Sequence, residues 1–188
     1  MTPYTTLDTA KATECLQAGE VIAYPTEAVY GLGCDPRNEQ AIYKILELKG
    51  RQSSAGFVLI ASRFSQLEPW ISPLDPELID RAMQAWPGPV TWLIPRAPHV
   101  PDHIAGSHPT IALRITAHGP SRKLCDTLDS ALISTSANPS AAPPARSAQQ
   151  VAAYFGDSIA GILAGELGGS NKPSEIRDLI SGKIIRAG

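Results

Sequence analysis

Hydrophobic positions along this chain fall into two alternating rhythms. Short, nearly continuous apolar runs occupy 21–24 (VIAY), 57–61 (FVLIA), 90–94 (VTWLI), 110–115 (TIALRI) and 131–134 (ALIS). Their length and their β-branched and aromatic content predict buried strands. Between them the apolar residues recur at spacings of three and four. Residues 7–18 predict a helix on Ala10, Cys15 and Leu16, stopped by Gly19. Asn38 caps a second helix whose stripe is Ile42, Ile45 and Leu46, and Gly50 stops it. Further helices are expected from Asp75-Pro76 to about Trp86, over 120–128, and from Ser147 through Phe155. Short strands are expected near 159–163 and 184–186, with 174–178 between them, and a loop over 95–109. Strands alternating with helices describe an α/β domain.

The breaks in this rhythm locate the chemistry. Pro25 is expected to end the first strand, because it has no N–H for the ladder. Thr26 and Glu27 follow, where the strand empties into a loop, and Gly31 and Gly33 are expected to permit turns and close approach of a ligand. Ligands of open α/β sheets sit beyond the carboxyl ends of strands, so Thr26 is the first candidate for substrate contact. Lys49 continues the apolar stripe of its helix and is expected to point toward the sheet edge, with Arg51 leading into a small-residue loop at 52–56. Arg114 lies near the end of a strand, Ser134 ends another, and Ser136 and Asn138 lie in the polar loop expected after it.

Composition narrows the classes. The chain has 188 residues, 43% hydrophobic and 18% charged, which suits one soluble globular domain spanning 1–188. A net charge of −2 and the lack of a Lys/Arg block argue against tight, sequence-independent duplex binding. Neither a basic-then-apolar leader nor an apolar run near membrane length occurs, so a cytoplasmic, non-membrane protein is expected. Cys15, Cys34 and Cys125 are far apart and read as reduced thiols. His99, His103, His108 and His118 lie among prolines and read as solvated loop histidines, so no metal site is expected. A GxxxxGK[ST] loop, a complete dinucleotide fingerprint and a GxSxG elbow are all absent.

What remains is a dispersed set of anion-binding groups: Thr26, Lys49, Arg51, Arg114, Ser134, Ser136 and Asn138. Cations neutralise phosphate or carboxylate, and hydroxyls and an amide add directional bonds, which suits phosphoryl or nucleotidyl chemistry. Each has a structural alternative. Lys49 is favoured at a helix C-terminus by the dipole alone. Arg114 could be a paired core-edge arginine, and Ser136 with Asn138 an ordinary turn. Residue types and spacing do not name a substrate.

With these residues in view, the chain resembles the YrdC family of threonylcarbamoyl-AMP synthases, in its short, single-domain form. The likeness runs through PTEAVYGLG at 25–33, ELKGR at 47–51, WPGPVTWLIP at 86–95, IALRIT at 111–116, STSAN at 134–138 and PSEIRD at 173–178. It implies a twisted open sheet of mixed parallel and antiparallel strands, with flanking helices and a deep basic cavity. The implied reaction joins L-threonine, bicarbonate and ATP, with Mg2+ carried on the nucleotide, into threonylcarbamoyl-adenylate and pyrophosphate. A separate transferase then uses that adenylate to modify an adenosine in the tRNA anticodon loop, leaving tRNA contact here weak or indirect. By the same resemblance Lys49 and Arg51 are catalytic, and Thr26, Arg114, Ser134 and Ser174 contact threonine or its carbamate. ATP would meet Lys49, Arg51, Ser53, Ser136, Asn138, Arg146 and Arg186. Two rival readings remain: an RNA-binding maturation factor using a basic concave face, and a regulator that binds nucleotide without turnover.

Overall fold

The computed structural model describes residues 3–50 and 56–188. In chain order the elements are β1 (Thr6–Leu7), α1 (Thr9–Gln17), β2 (Ile22–Pro25), β3 (Tyr30–Gly33), α2 (Glu39–Lys49), β4 (Val58–Ala61), α3 (Pro76–Ala85), β5 (Val90–Pro95), α4 (Asp102–Ala105), β6 (Thr110–Ile115), α5 (Gly119–Leu128), β7 (Leu132–Ser136), α6 (Ala148–Phe155), β8 (Ile162–Leu163), β9 (Glu175–Asp178) and β10 (Ile184–Arg186). Among the described residues the strands form one ten-stranded sheet, in the order β1-β8-β2-β3-β7-β4-β6-β5-β9-β10. Parallel pairs (β1/β8, β2/β8, β4/β6, β5/β9) mix with antiparallel ones. The expected α/β class with a mixed open sheet is what the chain forms. Among the described residues, no helix is long and apolar enough to cross a membrane.

Local chemistry explains the boundaries, including several that differ from expectation. The first helix begins at Thr9 and not at residue 7, because Asp8 caps it by accepting the Lys11 N–H at 2.8 Å. Leu7 is instead a strand residue opposite Leu163. Asn38 caps α2 as expected, accepting the Ala41 N–H at 3.0 Å, and Gly50 ends it in the left-handed region at φ 59°. The stretch expected as a loop over 95–109 contains α4, which starts directly after Pro101. A proline there stands outside the helix, where its missing N–H costs nothing.

The largest departure concerns the stretch after residue 24. Pro25 does not end the ladder; it forms the last rung of a β2–β3 hairpin, opposite Tyr30. The rung tolerates proline because the Tyr30 N–H is given to Ala145 and the Tyr30 carbonyl accepts from Ala137. Thr26 N–H bonds to Val29 O at 3.1 Å and closes the turn. Gly31 and Gly33 therefore sit in β3, not in a loop. Their role is to let the buried Tyr24 ring lie across the strand. A Cβ on Gly33 would fall 2.7 Å from that ring and 2.6 Å from the Ile133 carbonyl oxygen.

Strand alternation then sorts the two faces of the sheet. On one, Leu59, Leu113 and Ile133 join Ile42 and Ile45 of α2 in the main core. On the other, Ile22, Tyr24, Ile60 and Leu132 pack against Leu16 of α1 and Leu124 and Leu128 of α5. Each fully buried Leu or Ile contributes roughly 1.5–3 kcal/mol. Beyond α1 and α5 this second face continues through Gly31, Val58, Ala112, Arg114, Ser134 and Ser136, small or polar residues that line a cavity.

Candidate active site

The cavity has a volume of about 830 Å³, within the range of small-molecule sites. Its floor is set by register. Val58 stands opposite both Ala112 and Ser134, and Ser136 stands opposite Gly31, so neighbouring strands bring these positions side by side. Its walls come from the 26–29 turn and from the 170–174 segment. That segment is tied to the turn by backbone bonds from Gly168 N–H to Thr26 O (3.0 Å) and from Ser170 N–H to Glu27 O (2.9 Å). Among the described lining residues are four cations, Arg114, Arg146, Lys172 and Arg186, and a single carboxylate, that of Glu27. The lining is basic, although the whole chain carries a charge of −2.

Most sequence-predicted residues converge here. Thr26, Arg114, Ser134, Ser136, Ser174, Arg146 and Arg186 all line the cavity. Thr26 Oγ1 donates to Val29 O at 2.7 Å, which leaves its lone pairs for a ligand donor. Ser134 lies in β7 as expected, and Ser136 belongs to β7 too and not to the loop after it, two residues apart on the cavity face. Ser174 shares a 2.9 Å hydrogen bond with Thr91, and its carbonyl accepts from Arg186 at 2.7 Å. Arg146 reaches toward Asn171 Oδ1 at 3.5 Å. Arg51 and Ser53 lie outside the described residues.

Lys49 takes a different position. It is buried at 6% exposure and is not among the lining residues. Its ammonium donates to Ser136 O (2.5 Å), Asn138 O (3.0 Å) and Asn138 Oδ1 (3.2 Å). Asn138 Oδ1 also accepts from Ser136 Oγ at 2.6 Å, while its amide donates to the carbonyls of Pro139 and Ala142. Lys49 and Asn138 thus hold the end of β7, and Ser136 carries that order to the cavity wall.

Arg114, 7% exposed, forms an ion pair with Glu27 at 3.0 Å. Thr116 Oγ1 donates to the other Glu27 oxygen at 2.6 Å. Burial pushes the Glu27 carboxyl up, but the Arg114 guanidinium and the Thr116 hydroxyl outweigh it and hold the group below its ordinary range. Sequence reasoning missed Glu27 and Thr116 as site residues. A signal existed for the second: Thr116 lies two positions after Arg114, hence on the same face of an extended chain. His118 corrects the expectation of solvated histidines. It is buried, its Nδ1 lies 3.1 Å from Ser121 Oγ, and its Nε2 lies 2.9 Å from Glu166 O.

Comparison with known proteins decides the kinship. Residues 14–188 match the Sua5/YciO/YrdC family model, described as "Telomere recombination". The chain belongs to the Sua5/YciO/YrdC family. It is 47% identical over 175 residues to the threonylcarbamoyl-AMP synthase of Coxiella burnetii (strain RSA 493), covering 93% of this chain and 94% of that one. It is 49% identical over 179 residues to the protein of the same name from Pseudomonas syringae pv. syringae, covering 95% and 96%. Among solved structures, P. abyssi Sua5 complexed with L-threonine superposes with a TM-score of 0.84 at 32% identity, covering 92% of this chain. The present chain spans 52% of that longer Sua5. E. coli YciO shares the fold with a TM-score of 0.84 at 22% identity, over 100% of this chain and 96% of that one.

Proposed function

We propose that this chain is a threonylcarbamoyl-AMP synthase, converting L-threonine, bicarbonate and ATP into threonylcarbamoyl-adenylate, pyrophosphate and water. The observation that carries the reading is the cavity itself. A buried arginine sits at its floor, a row of serine hydroxyls runs along it, and further cations stand on its walls. Kinship with enzymes of this name across nearly the whole chain supports the same reading.

In this reading Arg114 receives the threonine carboxylate, with Thr26, Ser134 and Ser174 around the side chain and the carbamate. The carbamate oxygen attacks the α-phosphorus of ATP, a new O–P bond forms, and the bond to pyrophosphate breaks. Negative charge grows on the phosphoryl oxygens and the leaving group, so fixed cations and donors lower the barrier. Arg146 and Arg186 face the nucleotide, and Ser136 lies where Lys49 and Asn138 fix it. Lys49 acts by organising this wall as well as by its charge, and Arg51 and Ser53 keep the ATP-binding roles that the family resemblance implies. ATP enters as its Mg2+ complex. The one lining carboxylate among the described residues, Glu27, is already engaged by Arg114 and Thr116, which fits an ion held by phosphate oxygens. When bound, the ion neutralises charge on the phosphates.

The product then passes, in the cytoplasm, to a separate transferase that modifies tRNA, with tRNA contact on this chain weak or indirect. Incubation of the purified protein with the three substrates and mass analysis of the product tests the assignment. A mass equal to threonylcarbamoyl-adenylate is expected; ADP or AMP alone would contradict it.

A further inference from the structure

The cavity floor holds a charge that the proposed chemistry leaves unused. Glu27 Oε1 accepts from Thr116 Oγ1, and Oε2 stands 3.0 Å from Arg114 Nη2. Among the described residues, Glu27 Oε2 and Arg114 Nε are buried without a hydrogen-bond partner. The carboxylate is held firmly in this place. Its own carbonyl accepts from Ser170, the turn is closed by Thr26 N–H to Val29 O, and Thr116 Oγ1 accepts in turn from the His118 N–H at 3.1 Å.

A lone buried arginine would attract any carboxylate. An arginine beside a fixed carboxylate behaves differently, because its charge is already balanced. A simple carboxylic anion arriving at Arg114 would leave uncompensated negative charge in a desolvated place, which is costly. A zwitterion brings its own cation and keeps the local charge balanced. Selectivity of this kind works by repelling the wrong ligand as much as by holding the right one.

We infer that Glu27 sets the charge selectivity of the floor: paired with Arg114, it admits an α-amino acid as the zwitterion and turns away carboxylates that lack an α-amino group. The inference rests on the proposed function, in which Arg114 receives the threonine carboxylate. Glu27 acts through Arg114 and through its own field, so it is a positioning residue and not a catalytic one.

The test is calorimetric binding of L-threonine and of 3-hydroxybutyrate, which keeps the carboxylate and the hydroxyl but lacks the amino group. Both are titrated into the parent and into Glu27→Gln, whose amide oxygen can still accept from Thr116. The parent is expected to favour threonine by about 100-fold or more, since like charges brought together cost several kcal/mol. Glu27→Gln is expected to narrow that preference about 10-fold or more, weakening threonine and strengthening 3-hydroxybutyrate. Equal loss for both ligands would mark a merely structural role and overturn the inference while leaving the function intact. An unchanged preference would overturn it too. A parent that binds neither ligand contradicts the function and the inference with it. Should Glu27→Gln fail to fold, judged by its melting curve, the ranking by the parent still decides: equal affinity for the two ligands overturns the inference.

Discussion

The Lys49 ammonium donates to the Ser136 carbonyl at 2.5 Å, so the last turn of α2 and the last residue of β7 form one unit. Removing the ammonium strands buried carbonyls as well as removing charge. Lys49→Ala is expected to cost about 1.5–3 kcal/mol, a fall of roughly 3–12 °C in melting temperature, besides a large loss of turnover. Lys49→Arg is expected to restore little, because a planar fork does not fit the place of a compact ammonium. Differential scanning calorimetry checks this; an unchanged melting temperature in the alanine variant would show that the bonds to Ser136 and Asn138 contribute nothing.

Gly33 and Gly119 make a matched pair. A Cβ at Gly33 would press on the Tyr24 ring and the Ile133 carbonyl, whereas nothing lies within 4 Å of one at Gly119. Gly33→Ala is expected to destabilise by about 1–3 kcal/mol in urea unfolding, as overpacking does. Gly119→Ala, at the first position of α5, is expected to stay within about 0.5 kcal/mol of the parent. Equal effects would disprove the packing explanation for Gly33.

Glu27 gives a pH dependence with a definite sign. Its carboxyl is held below the ordinary glutamate value, so the folded state binds the proton less readily than the unfolded chain. The stabilisation is complete above about pH 4.3, the ordinary glutamate value, and is lost as pH falls through the lower folded value. Melting temperatures of the parent and of Glu27→Gln, followed from pH 6 down to pH 3, are expected to converge at the acid end. Parallel curves would show that the pairing with Arg114 and Thr116 does not favour the ionised form.

Substrate side-chain selectivity follows from the hydroxyls of Thr26, Ser134 and Ser174 on the cavity lining. Sites that hydrogen-bond a substrate hydroxyl reject the analogue lacking it by about 10⁴–10⁵-fold, because their own polar groups are left unpaired. Valine is therefore expected to be nearly inert, and serine to be used more poorly than threonine. Equal kcat/KM for valine and threonine would remove these residues from side-chain recognition.

How much of this was legible in the sequence depends on which interactions decided each feature. Apolar period and caps located α2, α3 and α6 to within a residue or two, because Asn38, Asp75 and Ser147 act locally. The hairpin at 22–33 is not legible in the sequence, because Gly31 and Gly33 carry a turn signal there. What they answer to is the Tyr24 ring, a contact made only once β2 and β3 pair. The anion-binding residues were legible by chemical type and by resemblance. Glu27 is not legible, because a single acid between a threonine and an alanine looks like an ordinary turn residue. Its meaning comes from Arg114, 87 positions away in the chain and 3.0 Å away in space. The buried end of Lys49 was equally out of reach, since a stripe position gives direction but not the carbonyls at the end of it.

The most direct measurement of the central claim is pyrophosphate release by the purified chain in a set of omissions. Each of L-threonine, bicarbonate and ATP is left out in turn, and tRNA is absent throughout. Release is expected only when all three substrates are present, and at full rate without RNA. Release that continues without threonine, or that demands tRNA, would contradict the assignment.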